Sequence, residues 1–303
     1  LRKKTEDFYI PLDAAPEIVR FDPEFTILAK VNFPKPTPLV MAQLEDQSDV
    51  IGRILAIQAL SKNKSQKTID ALRQCLASDP FHGVRMEAAD ALKSIHTVEA
   101  LDALLESSLQ PDARVRLRVQ SAIGGFYNPR ALESAMKTIR SESNPTIINT
   151  AMRSLSGYGS SEIGSILLQY LREPSYRNTH AESAIAAMEK QDNPVFIMPI
   201  LETLMERKGL FSTRGMVNAL SSLAYLGRHQ DDKSMLLSFI AGRLQDPKSA
   251  VRSGAIRALA TLKDPKAIAI LEKWMSADSD SPEYKAAQTA ISTLRKMALP
   301  GED

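Results

Sequence analysis

The sequence lacks the features that define several classes of protein. Its single cysteine, Cys75, leaves no partner for an internal disulfide. No window approaches the ~18 uninterrupted apolar residues of a membrane-spanning helix. Lys and Arg number 38 against 36 Asp and Glu, so the net charge of +2 provides no basic field that would attract nucleic acid. We therefore expect neither a nucleic-acid nor a membrane partner.

The first residues also lack an initiator methionine and the apolar core of a signal peptide. They read LRKKTEDFYIPLD, which resembles the interior of a longer polypeptide. Because a targeting signal would precede such a start, the compartment stays open. We expect a soluble protein, either cytoplasmic or periplasmic.

What the sequence does contain is a repeat. The segment DPKSAVRSGAIRALATLKDPKAI, residues 246–268, shares its Asp-Pro, Val-Arg and Ala-Leu landmarks with DPFHGVRMEAADALKSI, residues 79–95. Aligning the two segments on their arginines and extending the search yields eight copies of one helix, spaced 31 to 36 residues apart. Their anchor positions are Arg53, Arg85, Arg116, Ile148, Ala181, Met216, Arg252 and Tyr284.

Three columns of this alignment predict a packing face, because their spacing places them on one side of a helix. The residues three after the anchor (+3) are small apolar in every copy: Ala56, Ala88, Val119, Ala151, Ala184, Ala219, Ala255 and Ala287. The +6 residues are alanine or serine: Ala59, Ala91, Ala122, Ser154, Ala187, Ser222, Ala258 and Ala290. The +7 residues are large: Leu60, Leu92, Ile123, Leu155, Met188, Leu223, Leu259 and Ile291. Small side chains let neighbouring helices approach closely, and the large ones fill the grooves.

A second apolar-periodic segment precedes each repeated helix except the first, so each unit reads as a helical hairpin. These segments are 67–77, 97–108, 129–140, 161–172, 194–206, 232–244 and 265–276. Residues suited to starting a helix stand between the two helices: Asp49, Asp79, Asp112, Asn144, Pro174, Ser212, Asp246 and Ser281-Pro282. A lone hairpin cannot bury both apolar faces, so the copies must stack. The fold class is all-α, an α-solenoid of about eight hairpins over residues 39–303. The Asp, Val-Arg and Ala-x-x-Ala-Leu pattern resembles HEAT repeats, although copies four to six lack the arginine and would interrupt an Asp–Arg ladder.

Residues 1–38 follow the period of a strand instead. Ile27, Val31 and Phe33 lie on one side of an alternating pattern in TILAKVNFP, and EIVRF alternates likewise before the turn formed by residues 22–24. We predict a β-hairpin here. An isolated hairpin is marginal in water, so we expect it to pack on the first helices or to end an upstream β-sandwich domain.

The junction of the two parts carries a family resemblance. PEIVRFDPEFTILAKVNFPKP, followed by LVMAQLEDQSDVIGRILAIQAL, resembles the junction in aminopeptidase-N-like zinc peptidases where a β-sandwich domain ends and a C-terminal helical domain begins. The resemblance covers about the first 95 residues. It implies a non-catalytic C-terminal region that packs on upstream catalytic and β-sandwich domains, limits access of peptide substrates, and belongs to a parent enzyme with zinc in its catalytic domain. A catalytically silent branch of that family, a TATA-binding-protein-associated transcription factor, shares the architecture.

The chain itself offers no catalytic, cofactor-binding or metal-ligating set. The H-E-x-x-H motif of the family is missing, and His82, His96, His180 and His229 are too far apart in sequence to form a helical ligand pair. Cys75 lies on an apolar side and reads as a structural thiol. The glycines of SGYGSSEIGS, residues 156–165, fit an inter-hairpin turn better than a phosphate loop, because no Gly-Lys-Ser/Thr follows.

The remaining candidates are surface residues. The +5 residues, opposite the large apolar column, are polar in seven of eight copies: Gln58, Asp90, Ser121, Arg153, Ala186, Ser221, Arg257 and Thr289. This column either faces a partner or is a solvated face. Arg114 and Arg118 of DARVRLRV could meet an acidic surface or a peptide carboxylate, and with Arg153 and Arg257 they are the predicted partner- or substrate-facing residues. The alternative functions are a scaffold that binds another protein, and a lyase-like HEAT protein acting on a bound pigment.

Overall fold

The structure is a computed structural model that describes residues 7–207, 209–277 and 282–298. Within these ranges it contains sixteen α-helices, a few short 3-10 turns and no β-strand. The all-α solenoid class is therefore confirmed. The chain divides into two compact units, Leu1–Phe126 and Tyr127–Asp303, which are described separately below.

The first unit contains three helical hairpins. Its helices are α1 (Thr37–Glu45), α2 (Val50–Leu60), α3 (Gln66–Ser78), α4 (His82–Ile95), α5 (Val98–Glu106) and α6 (Ala113–Ile123). In each hairpin an odd-numbered helix packs on the even-numbered helix that follows it, and α2, α4 and α6 stack in chain order. The even-numbered helices are the repeated helix of the alignment.

The second unit contains five hairpins of the same kind. Its helices are α7 (Pro129–Ser141), α8 (Pro145–Ser154), α9 (Ser161–Arg172), α10 (Thr179–Gln191), α11 (Ile197–Glu206), α12 (Thr213–Gly227), α13 (Ser234–Ala241), α14 (Ser249–Leu262), α15 (Lys266–Ala277) and α16 (Tyr284–Ala298). Here α8, α10, α12, α14 and α16 stack in order. The eight predicted hairpins are all present, and their bounds agree within a few residues with those expected from periodicity.

The predicted packing columns are buried. Every +3 residue and every +7 residue is buried, from Ala56 and Leu60 in α2 to Ala287 and Ile291 in α16. The +6 residues are buried in six helices, whereas Ser154 is half-buried and Ala59 is exposed. Small residues therefore form the close contacts between helices, as their spacing indicated.

The predicted helix starts are correct where the polar residue directly precedes the helix. Asp49, Asp112, Asn144 and Ser212 each accept a hydrogen bond from a backbone N–H in the first turn of their helix. The prediction was wrong for the remaining described positions. Helices α4 and α14 begin two residues later, after Phe81 and Lys248, and α10 begins after Asn178 rather than near Pro174. In two of these cases the Asp carboxylate accepts a backbone N–H two residues on and forms a tight turn before the helix. Ser281 lies outside the described residues.

The predicted β-hairpin is not formed. Residues 7–36 contain no strand, and Ile27, Val31 and Phe33, the intended buried face, are exposed. The carboxylate of Asp22 accepts hydrogen bonds from the backbone N–H groups of Thr26 and Ile27 and from the Thr26 hydroxyl, which bends the chain where the second strand should begin. These bonds also hold the pKa of Asp22 below its usual range. The turn at residues 22–24 is present, but the alternating pattern has no strand beside it to supply ladder hydrogen bonds.

The helical part begins at Thr37, beside the predicted domain boundary between residues 38 and 39. The assignment of residues 1–38 to the end of another domain stays a prediction. Among the described residues, no helix combines the length and the apolar character that crossing a membrane requires.

Candidate functional site

The anchor arginines of the repeat bind the turns of their own hairpins. Nη1 of Arg85 donates to the backbone oxygens of Asp79 and Pro80, at 2.6 and 3.5 Å. Arg116 makes the same pair of bonds to Gln110 and Pro111, both at 2.9 Å, and Arg252 makes it to residues 246 and 247 at 3.0 and 3.2 Å. Each arginine thus satisfies backbone carbonyl groups in the turn that precedes its own helix. These arginines are structural.

Two of the anchors also join successive hairpins through acidic side chains. Arg53 is 1% exposed and binds Asp79 of the next hairpin through two nitrogens, Nε to Oδ2 at 2.7 Å and Nη2 to Oδ1 at 3.2 Å. Nη2 of Arg252 lies 2.9 Å from Oε1 of Glu283, which is buried in the last hairpin. The Asp–Arg ladder suggested by the sequence is therefore present as two separate contacts between hairpins, and the acidic residue in one of them is a glutamate.

The +5 residues lie along the line where successive even-numbered helices contact each other, which we call the seam. Side chains at +5 of one helix meet side chains at +2 of the next helix. Gln58 Nε2 donates to Glu87 Oε1 at 3.0 Å between α2 and α4. Arg118 Nη1 lies 3.4 Å from Oδ2 of Asp90 between α6 and α4. All residues of this column are exposed except the half-buried Asp90. The candidate surface is thus a solvent-facing seam whose polar groups partly bind one another.

The same register continues in the second unit. Nη1 of Arg153 donates to the Ser183 hydroxyl at 3.4 Å, and its Nη2 donates to Thr150 within α8 at 3.2 Å. Between α12 and α14 the contact differs: the +2 residue Gly254 lies beside Val217, the +1 residue of α12, and a Cβ on Gly254 would lie 3.0 Å from a methyl carbon of Val217. Sequence reasoning missed the pairing of +5 residues with the +2 residues of the next helix. The signal that could have revealed it is the complementarity between the +5 residue of one copy and the +2 residue of the next.

The four candidate arginines are divided between the two units. Arg114 and Arg118 belong to the first unit, and Arg153 and Arg257 belong to the second. Arg114 is held by the carboxylate that caps its own helix: Nε and Nη2 lie 3.1 and 2.7 Å from the oxygens of Asp112. This contact raises the pKa of Arg114 and lowers that of Asp112. The prediction that these four residues face a partner stays a prediction.

Arg257 differs from the other three because its guanidinium makes no hydrogen bond and no ion pair within the described residues, and its side chain is exposed. The +2 position of the next helix is Ala286, which offers no acceptor. Arg257 therefore has the full hydrogen-bonding capacity of a guanidinium available to an anion or carboxylate.

A second set of side-chain bonds, which sequence reasoning also missed, joins hairpins near the ends of odd-numbered helices. Gln110 Nε2 donates to the backbone oxygen of Leu76 at 2.9 Å, and the Tyr170 hydroxyl donates to that of Ile139 at 3.0 Å. Trp274 Nε1 donates to the backbone oxygen of Leu244 at 3.2 Å. Trp274 is 7% exposed and belongs to the hydrophobic core.

The other titratable candidates are built into the packing. His180 is buried, with Nδ1 2.7 Å from Oδ1 of Asn149 and its ring edge-on to Tyr170. Burial lowers the pKa of His180. Cys75 is half-buried, and desolvation raises the pKa of its thiol to about 11. Within the described ranges no three His, Cys, Asp or Glu side chains lie close enough together to hold a metal ion.

The described residues form stacked helical hairpins. Anchor arginines bind the turns of the hairpins, and small residues form the close contacts between stacked helices. This arrangement defines a class of helical-repeat protein. A family model of HEAT repeats matches residues 37–122 and 216–292, together more than half of the chain. The chain belongs to the HEAT-repeat family.

Solved structures with similar folds include two HEAT-like helical-repeat proteins. Human deoxyhypusine hydroxylase in complex with glycerol is 17% identical, with 86% of this chain and 95% of that chain covered and a TM-score of 0.38. The complex of CpcE and CpcF of phycocyanin lyase from Nostoc sp. is 18% identical, with 89% and 98% covered and a TM-score of 0.48. At these scores neither likeness bears on the function of this chain. No curated protein sequence matches.

Proposed function

We propose that this chain is the non-catalytic, C-terminal HEAT-repeat region of a zinc aminopeptidase, which packs on a catalytic domain and shapes the access of peptide substrates. The junction between residues 16 and 60 supports the proposal, because its sequence resembles that junction in aminopeptidase-N-like peptidases. The observation that carries it furthest is the exposure of apolar side chains just before the helices.

Residues 7–36 present an unusual amount of apolar surface to solvent. Ten large apolar side chains in this segment are exposed: Phe8, Tyr9, Ile10, Leu12, Phe21, Phe25, Ile27, Leu28, Val31 and Phe33. Soluble chains rarely leave such side chains uncovered in one continuous segment, unless the segment meets another surface. A neighbouring domain that contributes the missing strands would bury them.

The segment is nonetheless attached to the first hairpin at defined points. Arg20 forms an ion pair with Asp49, the N-cap of α2. Lys35 Nζ donates to Gln43 and, at 3.2 Å, to the backbone oxygen of Val19. Gln43 in turn donates to the backbone oxygen of Gly52 at 2.6 Å. These contacts would couple a domain joined to residues 7–36 to the start of the helical stack.

The zinc site and the catalytic residues of such an enzyme would reside in the catalytic domain, upstream of this chain. In this proposal the chain supplies shape and contact surface only. Peptides and the upstream domains are accordingly the proposed partners.

The gene sequence that precedes Leu1 tests the proposal directly. We expect it to encode H-E-x-x-H followed by a downstream glutamate, the ligand and base set of this reaction. The full gene product should contain about one zinc ion per chain by elemental analysis and cleave aminoacyl reporter substrates, whereas the 303-residue chain should do neither. An upstream reading frame without this motif would refute the enzyme interpretation.

A second candidate, a scaffold that binds another protein on its even-numbered helices, is favoured by the unpaired guanidinium of Arg257. A pull-down from the native source should then recover one stoichiometric partner. Arg257→Glu should abolish the recovery. Ser249→Glu, at an exposed position on the same helix, serves as the charge control.

A further inference from the structure

The front face of the last three even-numbered helices carries basic side chains without acidic ones. We define this face by the −2, +1, +5 and +12 positions, which lie within about 60° of one another at 3.6 residues per turn, opposite the buried +7 residue. Its basic residues are Arg214 in α12, Arg257 in α14, and Lys285 and Lys296 in α16. All four are exposed, and none of the three helices contains an aspartate or a glutamate. Positive charge is therefore concentrated on this face, although the net charge of the chain is only +2.

The charge of this face is not compensated by the chain. Among the described residues, none of the four basic side chains makes a hydrogen bond, an ion pair or a ring contact. The basic residues of α6 in the first unit differ, because Arg118 lies 3.4 Å from Asp90 and Arg114 lies 2.7 Å from Asp112. The front-face cations of α12, α14 and α16 therefore keep their capacity to bind an external anion.

The helix before α12 carries two carboxylates, and both already bind groups at its seam with α12. Glu182 accepts a hydrogen bond from the Ser212 hydroxyl at 2.9 Å. Glu189 accepts one from the Ser222 hydroxyl at 2.5 Å. Both glutamates are half-buried, and neither forms an ion pair with Arg214. These acids join α10 to α12 and leave the front face basic.

The two arginines are spaced to match an extended peptide. Gly254 lies beside Val217, and this contact fixes the register of α14 against α12. Arg214 precedes Val217 by three residues. Arg257 follows Gly254 by three residues, so the two arginines are about 9 Å apart along the helix axes and about 8–10 Å apart across them. The resulting separation of about 13 Å equals about four residues of an extended chain.

Neutral polar side chains on the same three helices can bind the backbone of such a peptide. Asn218 and Ser221 in α12 are exposed, and Ser253 in α14 is half-buried. Their side chains make no hydrogen bond among the described residues. Amide and hydroxyl groups both donate and accept, so they suit the alternating N–H and C=O groups of an extended chain.

Carboxylates suit this face better than a nucleic acid does. Single-stranded nucleic acid is commonly held by aromatic rings that stack on its bases. Tyr225 of α12 is half-buried, and its ring centroid lies 3.7 Å from the guanidinium carbon of Arg228. The front-face positions of the three helices otherwise carry no aromatic residue. Guanidinium groups, in contrast, bind carboxylates through two parallel hydrogen bonds.

We infer that the front face of α12, α14 and α16 binds an acidic, extended segment of a partner protein. Arg214 and Arg257 each bind a carboxylate, at positions about four residues apart in the segment. Lys285 and Lys296 add positive charge beside them. The inference deepens the scaffold function proposed above and rests on it, because it names the chemistry of the partner.

A synthetic peptide tests this surface. The probe is a fluorescein-labelled peptide of about 16 residues with Glu at every fourth position and Ser, Thr and Gly between them. Fluorescence anisotropy should show saturable binding to the 303-residue chain. Arg257→Glu and Arg214→Glu should each weaken this binding at least about tenfold, the equivalent of ~1.4 kcal/mol. Lys273→Glu makes the same change of charge at an exposed position of α15 and should bind like the wild type.

The charge of the probe has its own control. The same peptide with Gln in place of Glu should not bind, and about 0.5 M salt should weaken binding of the Glu probe, because salt screens exposed charges. No binding of the Glu probe, or equal binding to the wild type and to both front-face variants, would overturn the inference. Circular dichroism verifies that the variants remain folded.

Other occupants give different results. Tighter binding of a labelled single-stranded oligonucleotide than of the Glu probe would identify nucleic acid as the occupant and overturn the inference. A wild-type dimer in sedimentation that Arg257→Glu dissociates would identify a second copy and also overturn it.

The inference and the scaffold function fail in distinguishable ways. A partner recovered in the pull-down together with no binding of the Glu probe would overturn the inference and leave the scaffold function in place. Binding of the Glu probe through Arg214 and Arg257 without any recovered partner would support the acidic-segment site and refute the scaffold function.

Discussion

Several even-numbered helices end at a residue with a left-handed backbone that is not glycine. The residues are His96, Asp192 and Lys263, with φ of 56°, 49° and 56°. In this region the Cβ of an L-residue crowds the following carbonyl, at a cost of about 1–2 kcal/mol. His96 offsets its strain by stacking on Phe126, with ring centroids 4.4 Å apart, and Asp192 does so by pairing with Arg228. The side chain of Lys263 is exposed and makes no such contact among the described residues.

Lys263→Gly should therefore stabilise the protein by about 0.5–1 kcal/mol, because glycine adopts the required φ without strain. Urea unfolding monitored by circular dichroism measures the change. Lys266→Gly, in the first turn of α15, is the matched control, and it should lower stability by up to about 1 kcal/mol because glycine disfavours a helix. A loss of stability in Lys263→Gly would contradict the argument.

His180 should make stability depend on pH below the ordinary histidine range. Burial lowers its pKa in the folded state from 6.5, and Glu173 opposes this shift less strongly. The unfolded chain then binds the proton first as the pH falls, so stability decreases below pH about 6.5 and is complete above it. Urea midpoints between pH 7.5 and 5 measure the slope. His180→Asn should flatten it, whereas His229→Asn, at an exposed position, should leave it unchanged.

At the scale of helices, some glycines are required because a side chain at that position would clash with a neighbouring helix, whereas others have room for a side chain. A Cβ on Gly227, in α12, would overlap Cδ1 of the buried Leu236 and lie 3.2 Å from Cδ1 of Leu262. A Cβ on Gly164, inside α9, would meet only the ring of Phe196 at 3.8 Å, an ordinary contact distance. Gly227 is buried and Gly164 is half-buried, and the two positions differ in the space available for a Cβ.

Gly227→Ala should destabilise the protein by about 1–3 kcal/mol through overpacking, despite the better helix propensity of alanine. Gly164→Ala should stabilise it by up to about 1 kcal/mol, because it gains that propensity without a clash. Paired denaturation curves compare them. Stabilisation in both variants would show that local propensity, and not the distance between helices, decides the outcome.

The contact between the first two hairpins depends on the buried pair Arg53–Asp79. Arg53→Met should cost about 3–5 kcal/mol, because it leaves the Asp79 carboxylate buried without its partner. The double variant Arg53→Met/Asp79→Leu should recover most of this loss, since it removes both charges. Arg114→Met, which breaks an exposed pair, should change stability by less than about 1 kcal/mol. Additive losses in the double variant would show that the two side chains do not act as a unit.

At the scale of the whole molecule, stability should reside in contacts between neighbouring hairpins, as in other repeat arrays. The last hairpin buries Leu271, Trp274, Ile291 and Leu294 against the helices before it. On α16, Lys285, Thr289 and Ser292 are polar and exposed, and Met297 is an exposed apolar residue.

Ending the chain at Lys263 should lower the free energy of unfolding by at least about 3 kcal/mol and increase binding of an apolar dye, because it uncovers the packing face of α14. Deleting residues 7–16, all of which are exposed, is the control and should change stability by no more than about 0.5 kcal/mol. Chemical denaturation and dye fluorescence measure both. An unchanged midpoint after loss of the last hairpin would mean that this hairpin adds nothing to the array.

Much of the fold followed from the sequence because helical packing imposes a period on residue size. Any helix that lies between two others must carry small and large residues at regular intervals, so the columns that include Ala255 and Leu259 were readable without coordinates. Hydrogen bonds between hairpins could not be predicted from the sequence. Residues such as Gln58 and Glu87 are 29 positions apart, and whether they meet depends on the packing register of the two helices.

The candidate site was only partly predictable for the same reason. Exposure of the +5 column follows from helix geometry, and seven of its eight residues are exposed. That Arg153 binds Ser183 while Arg257 binds nothing in the described residues depends on the residue that the next helix presents at +2. The aminopeptidase likeness, in turn, came from residues in a segment whose own strand pattern did not produce strands.

The sequence by itself determined the hairpin, its period of 31 to 36 residues and the face that each helix buries, because side-chain size and helical spacing act locally. Only the tertiary structure decided which polar groups meet across the seams and that residues 7–36 form no sheet beside the helices. These features depend on contacts between residues far apart in the chain, and no local pattern encodes the presence or absence of a neighbouring helix or strand.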